Sequence, residues 1–319
     1  MRRALLLLAL LGAPASAQSS FPGATSLTSA IERLTPSFRG RLGLSAVDLE
    51  SGRSLAVDGT GRFAMASTVK VAVAATYLHQ VEEGRRRLDE PFVRLGARLP
   101  ALTLMTMMLT HSDNAATDTL LAAVGGTRAV TDWLRDAGIR GQRADRTIAR
   151  LLLDDLRPAV RTQAAPALKR YGGSLPWLPY DDVSRAPSGE EGDPRDTSTP
   201  EAMTTLLGRL YRGELLNQEH TDLLFRIMAR CATGSNRLIA MLPRGTPFAH
   251  KTGTLNGVTN DVGILTLPNG HHLAIAAFIN GGTMAAERSR ALAALGRLLY
   301  DGFSFTPSGF SAYSGSPYR

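Results

Sequence analysis

The chain has 319 residues, of which 44% are hydrophobic and 20% charged, with a formal net charge of +8. These values are typical of a soluble globular protein with enough length for one large core or two small ones. The positive balance suits anionic surroundings, but no nucleic-acid motif accompanies it, and we predict no nucleic-acid partner. The single cysteine, Cys231, excludes an intrachain disulfide, and without a Cys-His pattern it is interpreted as a small buried residue.

Residues 1–17 have the organisation of a cleavable secretory signal peptide. Arg2 and Arg3 precede an apolar run over residues 4–11, and residues 15–17 supply small side chains for cleavage. The run is far shorter than the roughly 20 apolar residues that a membrane-spanning helix needs, and no later stretch is long and apolar enough. We therefore predict a periplasmic or secreted protein without a stable membrane anchor.

The spacing of apolar residues predicts strands near both ends of the chain and helices between them. The first half is predicted to form a helix, a β-hairpin and three helical stretches, at residues 26–34, 42–57, 64–78, 101–121 and 130–134. Residues 139–200 are rich in proline, glycine, arginine and aspartate, which predicts a long loop with a helix at 148–156. A helical stretch, a second hairpin and a last helix follow, at residues 201–230, 262–267 with 272–279, and 285–299.

These elements predict an α/β (α+β) fold, with an antiparallel sheet flanked by helices and an inserted all-helical lobe. The expected domain covers residues 18–303. Its α/β lobe spans about 25–60 and 205–303, and its helical lobe spans about 61–204, with an enlarged Ω-type loop at about 143–198. Residues 304–319 show no period and are predicted to be a disordered tail.

Ser67 and Lys70 stand three residues apart in a predicted helix, so a hydroxyl and an amine share one helix face. The amine can activate the hydroxyl, and the dipole and free N–H groups of a helix N-terminus favour the negative charge of acyl transfer. By itself this motif carries little weight, because it occurs about once by chance in a chain of this size.

Two further motifs make the pattern specific. Ser112-Asp113-Asn114 offers a second hydroxyl and an amide just before a helical run. Residues 251–254, Lys-Thr-Gly-Thr, are predicted to start a strand and offer an ammonium, two hydroxyls and a glycine, Gly253, that permits close approach of a substrate. All three motifs occur in this order by chance in about one chain in a thousand.

The three motifs resemble those of the serine β-lactamase and penicillin-binding protein superfamily, and most closely those of class A β-lactamases. The resemblance runs from about residue 26 to residue 303 and includes residues 195–197, 213–216 and 287–288. It implies a β-lactamase/transpeptidase-like fold. It also implies an acyl-enzyme route in which Lys70 activates Ser67, while backbone N–H groups of Ser67 and Thr254 hold the oxyanion.

The remaining motif residues receive supporting roles from the same resemblance. Ser112 would pass a proton to the leaving nitrogen, and Lys251 would supply positive potential for Ser112 and the substrate carboxylate. Asn114 would hold the substrate amide. Thr252 would contact the carboxylate, in a substrate-binding strand that also includes Gly253 and Thr254.

The chain departs from the class A pattern at the residue that releases the acyl group. Class A enzymes carry Arg-x-Glu-x-x-x-Asn in the Ω loop, and its glutamate activates the hydrolytic water. Here the matching segment begins at Arg146, and Ile148 and Leu152 occupy the glutamate and asparagine positions. Asp118 is a possible replacement base, with a structural role for the loop backbone as the alternative. The loop acids are other candidates, although each is more simply a solvated side chain: Asp154, Asp155, Asp181, Asp182, Glu190 and Glu191.

Three more departures concern the walls of the site. Arg146 and Asp196, which would staple the loop, are separated by far more residues than an ordinary loop contains. The spacing from Ser67 to Ser112 is shorter than class A usually shows, which suggests a trimmed wall and room for large substrates. The strand after Gly253 lacks the arginine that many members use for the substrate carboxylate, and Arg288 or Arg290 could replace it.

We therefore predict an exported serine hydrolase that acts on a small-molecule substrate, a β-lactam or a cell-wall peptide. One alternative is a penicillin-binding protein, D-alanyl peptidase or esterase with the same chemistry, and another is a slowly deacylating β-lactam binder or sensor. We expect a monomer without metal or cofactor. The pair His271-His272 fits a surface turn better than a shared ligand site, because adjacent strand residues point to opposite faces.

Overall fold

Strands from both ends of the chain enclose a helical middle region in a computed structural model of the protein. The structure describes residues 23–34, 40–94, 96–156, 193–281 and 284–304, with positions 162 and 166. The strands are β1 (Gly40–Asp48), β2 (Ser54–Val57), β3 (Phe63–Ala64), β4 (Pro91–Arg94), β5 (Ala97–Pro100), β6 (Thr197–Ser198), β7 (Phe248–Leu255), β8 (Val258–Thr266) and β9 (His272–Gly281). The helices are α1 (Ala24–Glu32), α2 (Lys70–Glu82), α3 (Ala101–Thr110), α4 (Asn114–Ala123), α5 (Gly126–Asp136), α6 (Ile148–Asp155), α7 (Pro200–Tyr211), α8 (Gln218–Met228) and α9 (Ala285–Ser304).

The central sheet has five antiparallel strands in the order β2-β1-β9-β8-β7. The first strand pairs with the last one, with Gly40 opposite Gly281 and Asp48 opposite Leu273. Strand β7 therefore lies at the edge of the sheet, with one side free to face the helical region. The predicted fold class, an antiparallel sheet flanked by helices around an inserted helical region, is confirmed.

Two cores cover the two faces of this sheet. On one face, Leu27 and Ile31 of α1 pack with Leu292 and Leu299 of α9. On the other face lies a larger core built on α2, whose residues 70–78 are all buried. A helix that is buried all round belongs at the centre of a helical lobe, where its neighbours fix its position. The residues at the start of α2 are therefore held rigidly.

Two of the predicted helical stretches are interrupted. The stretch 101–121 consists of α3 and α4, and Ser112 between them has a positive φ of 59°. Asp113 then caps α4 by accepting a hydrogen bond from the amide of Ala116 at 2.7 Å. The stretch 201–230 likewise divides into α7 and α8 after Gly213, whose φ is 68°. In both cases the helical spacing of apolar residues continues past the turn, and this spacing therefore predicts one helix where the structure has two.

Several strands also differ from the prediction. The hairpin of β4 and β5 was not predicted, because its segments lack the alternation of apolar and polar residues that identifies a strand. Strand β7 begins at Phe248, so Lys251 lies within the strand and does not start it. Strand β8 begins at Val258, four residues before the predicted start at residue 262. Helix α9 runs on to Ser304, into the predicted tail.

The predicted signal peptide, 1–17, and the rest of the predicted tail lie outside the described residues. Across the described helices, none has the length and apolar character needed to cross a membrane.

Candidate active site

Ser67 lies in a single 3-10 turn, Ala66–Val69, that leads directly into α2. Its neighbours Ala66, Thr68 and Val69 are buried, whereas Ser67 is partly exposed. The turn is closed by two hydrogen bonds to the carbonyl of Met65, from the amide of Thr68 at 3.1 Å and from its hydroxyl at 2.8 Å. The hydroxyl of Ser67 is thus presented at the surface of a rigid N-terminal turn, where anionic charge is favoured.

Strand β7 packs directly against this turn. A Cβ atom built on Gly253 would lie 2.6 Å from the carbonyl oxygen of Met65, so only glycine permits this approach. The side-chain amide of Asn260, on β8, donates to the carbonyls of Ala64 and Met65 at 2.8 and 3.1 Å. The free edge of the sheet is thereby fixed beside Ser67.

Lys70 is fully buried and its ammonium makes three hydrogen bonds. Nζ lies 2.6 Å from the carbonyl oxygen of Ser112, 3.2 Å from its hydroxyl and 2.7 Å from the amide oxygen of Asn114. Burial and the positive charge of Lys251 hold the pKa of Lys70 well below its ordinary value. A lysine with a lowered pKa can accept a proton near neutral pH.

Ser112 lies between two ammonium groups. The Nζ atom of Lys251 is 3.0 Å from the Ser112 hydroxyl and 2.9 Å from the carbonyl of Thr252. Burial lowers the pKa of Lys251 to about 8, although the charges of Cys231 and Asp261 oppose the shift. With its left-handed backbone, Ser112 presents its hydroxyl to both lysines and its carbonyl to Lys70. A hydroxyl so placed can relay a proton between its neighbours.

Asn114 is held in place by the cap of α4. Asp113 accepts a hydrogen bond from the guanidinium of Arg94 at 2.6 Å. Because Arg94 is the last residue of β4, this bond connects the start of α4 to the β4–β5 hairpin. Residues 112–114 are therefore a fixed connection between α3 and α4, with Asn114 bonded to Lys70. The structure brings together Lys70, Ser112, Asn114 and Lys251, four of the residues that the sequence singled out.

An arginine outside the three sequence motifs reaches the same strand. Arg237 donates to the hydroxyl of Thr254 at 2.6 Å and to the carbonyls of Gly253 and Asn260 at 3.0 and 2.8 Å. Its Nε atom is buried and has no hydrogen-bond partner among the described residues. The hydroxyl of Thr252, which precedes Gly253 in the strand, is 2.6 Å from the hydroxyl of Thr233. Positive charge and hydroxyl groups thus converge where a substrate carboxylate is expected.

The two arginines proposed from sequence for that carboxylate have different surroundings, and Arg288 bonds Thr259, which pairs with Thr254 across the sheet. Arg288 is buried and donates to the hydroxyl of Thr259 at 3.0 Å, and Arg290 is exposed on α9. Arg237 follows α8 in a segment without periodic pattern, so the only available indication was its positive charge. Arg237 contacts the strand carrying the Lys-Thr-Gly-Thr motif directly, through Gly253 and Thr254.

Asp118 holds the start of α6. Its two carboxylate oxygens accept hydrogen bonds from the backbone amides of Ile148 at 2.6 Å and Ala149 at 2.9 Å. Burial raises the pKa of Asp118, while these bonds from Ala149 and Ile148 lower it. Because both carboxylate oxygens of Asp118 already accept backbone hydrogen bonds, the geometry favours a structural role for Asp118 over a role as a base. Ile148 itself is 4% exposed and joins the larger core.

A clasp of ion-paired residues, Arg146, Arg150, Asp154 and Asp196, connects the two ends of the enlarged loop. Asp196 accepts hydrogen bonds from the amides of Asp145 and Arg146 and from Arg146 Nε, at 2.7, 3.0 and 2.5 Å. Asp154 lies in the same clasp, 3.3 Å from Arg146 and 2.9 Å from Arg150. The residue pair expected to staple the loop therefore does so. The loop acids Asp181, Asp182, Glu190 and Glu191 lie outside the described residues.

The two adjacent histidines contact different carboxylates. His271 Nδ1 is 2.9 Å from Asp48, and His272 Nδ1 is 2.7 Å from Glu50. Asp48, Glu50 and His271 offer ligand atoms close enough for one cation. Asp48 already accepts hydrogen bonds from the hydroxyl of Ser51 and from the guanidinium of Arg53. The cluster therefore has a structural explanation, since it connects the turn after β1 to the turn before β9.

Comparison with known proteins gives a consistent result over most of the chain. The family model described as "Beta-lactamase enzyme family" matches residues 26–303. Beta-lactamase L2 of Stenotrophomonas maltophilia is 30% identical over 301 residues, covering 88% of this chain and 88% of its own. Beta-lactamase Toho-1 of Escherichia coli is 28% identical, covering 88% and 90%.

Solved structures show the same similarity. An ancestral (GNCA) class A beta-lactamase superposes with a TM-score of 0.72 and 28% identity, covering 87% of this chain and 100% of that chain. A beta lactamase from Xanthomonas campestris superposes with a TM-score of 0.70 and 29% identity, covering 87% and 97%.

Proposed function

The chain belongs to the beta-lactamase enzyme family as a class A-like serine hydrolase, and from this premise we propose that it is exported and opens β-lactams through an acyl-enzyme on Ser67. One observation carries the proposal: Lys70 and Lys251 both contact the hydroxyl of Ser112, beside the turn that presents Ser67. The expected cleavage of residues 1–17 would place a monomeric enzyme in the periplasm or outside the cell.

In the proposed acylation, uncharged Lys70 takes the proton of the Ser67 hydroxyl while the oxygen attacks the lactam carbonyl carbon. The negative charge that develops on the carbonyl oxygen is held by the backbone N–H groups of Ser67 and Thr254. As the C–N bond breaks, the Ser112 hydroxyl donates its proton to the ring nitrogen and regains one from its lysine neighbours. The contacts of Ser112 with both Nζ atoms support this relay.

Recognition of the substrate is assigned to the edge of the sheet. The hydroxyls of Thr252 and Thr254, with Arg237 behind them, form a site for the carboxylate that β-lactams and cell-wall peptides carry. Asn114 is placed to hold the substrate amide through its NH₂ group, because its oxygen is bonded to Lys70. Lys251 adds positive charge to the same strand.

A second candidate function is a slowly deacylating binder or a cell-wall peptidase that uses another acceptor. It is favoured by Ile148, which is buried at the position where class A enzymes carry the water-activating glutamate. An apolar side chain there cannot accept a proton from water. Acylation would be unaffected by this difference, whereas release of the acyl group would be slow.

The decisive experiment mixes the mature chain with a chromogenic cephalosporin and follows both colour and protein mass. The proposal expects colour beyond one equivalent that is lost in Ser67→Ala. A single burst with a persistent increase in mass supports the second candidate. If neither colour nor added mass is seen, the lactam assignment is wrong, and D-alanyl peptides and simple esters become the substrates to test.

A further inference from the structure

Behind the Lys-Thr-Gly-Thr strand, a cysteine, a histidine and an aspartate form a connected group. His250, on β7, places its Nδ1 atom 2.7 Å from Oδ1 of Asp261, on β8. The thiol of Cys231, which follows α8, lies near the same ring, and each of the two groups shifts the pKa of the other. The sequence suggested no Cys-His pattern, because the two residues are brought together only by the packing of α8 against the sheet. A thiol paired with an imidazole that a carboxylate orients is the arrangement of an activated nucleophile.

The surroundings of the thiol favour its anionic form. Burial opposes the charged form of His250, yet the charge and hydrogen bond of Asp261 raise the pKa of His250 to about 10. Burial likewise disfavours the thiolate, but the hydrogen bond and charge of His250, with bonds to Thr233, lower the pKa of Cys231 to about 7. The charge of the Cys231 thiolate in turn raises the pKa values of Lys251 and Arg237, against the effect of burial. Three cations, His250, Lys251 and Arg237, therefore interact electrostatically with the thiolate.

The imidazole of His250 is tightly packed, but the Cys231, His250 and Asp261 group retains an unused hydrogen-bond acceptor. The ring of Phe248 stacks on His250 at a centroid distance of 4.5 Å, and a Cβ on Gly263 would lie 2.7 Å from the Cα of His250. Asp261 is fully buried, and its Oδ2 atom finds no hydrogen-bond partner within the part of the chain that the structure describes. Cys231 itself is only partly buried as a residue.

Two hydroxyls connect the thiol to the candidate active site. The Sγ atom of Cys231 is 3.3 Å from the hydroxyl of Thr233, and that hydroxyl is 2.6 Å from the hydroxyl of Thr252. Thr252 belongs to the proposed carboxylate site. A group attached to the sulfur therefore displaces Thr233 or changes its hydrogen bond, and the change passes directly to Thr252.

We propose that Cys231 is a thiol-modification site for low-molecular-weight disulfides, and that its modification lowers the activity of the Ser67 site. The thiol proton resides on His250, and the thiolate attacks one sulfur of the disulfide. A new S–S bond forms, the old S–S bond breaks, and the other half leaves as a thiolate, so nothing beyond the disulfide is consumed. The effect on activity rests on the proposed function, whereas the exchange itself does not.

The first test uses the full mature chain and dithiobis-nitrobenzoate, a disulfide that releases a coloured thiolate. Because the sequence holds one cysteine, release of one equivalent reports on Cys231 alone. With its pKa near 7, the rate rises only about tenfold between pH 6 and pH 9. An ordinary thiol, as in the same chain unfolded in guanidinium, shows a rise of roughly 200-fold. This ratio does not depend on how accessible the sulfur is.

Variants separate the role of the histidine from general destabilisation. His250→Asn is expected to move the pH ratio toward that of the unfolded chain. His220→Asn is the matched control, because His220 is also buried and ion-paired, with Glu82 on α2. Cys231→Ser releases no colour and keeps its activity after exposure to the reagent. If His250→Asn does not fold, the comparison of native with unfolded wild-type chain still decides the question.

Activity is read after modification as the rate at which a fluorescent penicillin labels Ser67. We expect a loss of about tenfold or more in the wild type, reversed by dithiothreitol and absent in Cys231→Ser. Reaction only after unfolding, or with the pH ratio of an ordinary thiol, overturns the proposal. Complete modification with unchanged labelling overturns the link to Ser67. If unmodified chain is not labelled at all, the proposed function fails, and the thiol measurements still stand by themselves.

Discussion

Asp118 Oδ1 lies 2.6 Å from the backbone nitrogen of Ile148, the residue that occupies the position of the class A glutamate. The same carboxylate accepts from Ala149, so one acidic side chain holds the first two amides of α6. The segment that carries the catalytic base in class A enzymes is thus present and anchored here, but it presents an apolar side chain. The anchored backbone makes position 148 the place to test whether a carboxylate alone, with Leu152 still at the asparagine position, restores a base.

Ile148→Glu is therefore expected to raise the rate of deacylation by about tenfold or more, since a placed general base contributes roughly 10²–10⁴-fold. The measurement is the steady-state turnover of a chromogenic cephalosporin after the burst. Ile148→Gln is the matched control, because it has the same shape without a base. Both variants should be destabilised by about 1–3 kcal/mol, because the site is 4% exposed. Equal turnover in the two variants would contradict the prediction.

Asp118→Asn tests whether that residue positions the loop or acts as a base. The amide keeps one acceptor for the two backbone donors, so we expect a loss of about 1–3 kcal/mol in the free energy of unfolding. Deacylation should change only a few-fold. Asp136→Asn, an exposed acid on α5, is the control for removal of a charge. A large loss of deacylation at unchanged stability would instead identify Asp118 as the base.

The pH profile of kcat/KM is expected to fall above about pH 8. Lys251 carries its positive charge below its folded-state pKa of about 8 and loses it as the pH rises through that value. Loss of the charge weakens attraction of the substrate carboxylate and the support of the Ser112 hydroxyl. Lys251→Arg keeps its charge throughout this range and should lack the alkaline decline, even if its absolute rate is lower. A decline that is the same in both proteins would assign it to another group.

Arg237→Ala should raise KM for a carboxylate-bearing lactam by about 10- to 100-fold, the value of a charge-assisted hydrogen bond, with a smaller effect on kcat. Arg290→Ala removes an equal charge from the surface of α9 and should leave both constants unchanged. Because Arg237 also bonds two carbonyls, thermal unfolding of the variant must be measured in parallel. If Arg290→Ala has the larger effect, the carboxylate site lies nearer to α9.

Much of the fold could be predicted from the sequence because its strands and helices have clear apolar periods. The hairpin at residues 42–57, helix α6 and strand β9 are all in this class. Breaks were harder to predict. The chain changes direction at Ser112 through one residue with a positive φ, while the apolar spacing of α3 continues into α4. Such a turn is stabilised by tertiary contacts, among them those of Ser112 with Lys70 and Lys251, which local propensity does not include.

The candidate site was predictable where its residues occur in short motifs and not where they meet only in space. Lys70, Ser112 and Lys251 stand in three recognisable sequence motifs. Arg237 and Cys231 stand in segments without pattern, and their importance depends on which strand they face. The distance between Cys231 and His250 along the chain gives no indication that their side chains touch.

The pairing of the first strand of the sheet with its last strand also has a consequence for how the protein forms. Residues 40–48 can pair with β2 early, but their partner on the other side, residues 272–281, is synthesised only near the end of the chain. Contacts so distant along the chain make folding slow, since the intervening segment must be ordered before they can stabilise anything. Within the sheet, the edge strand beside Ser67 is joined to β1 through β8 and β9, so the site is assembled only when all of these strands are present. Late completion of the sheet would suit the proposed export, because a chain that crosses a membrane in an extended form must not fold during synthesis.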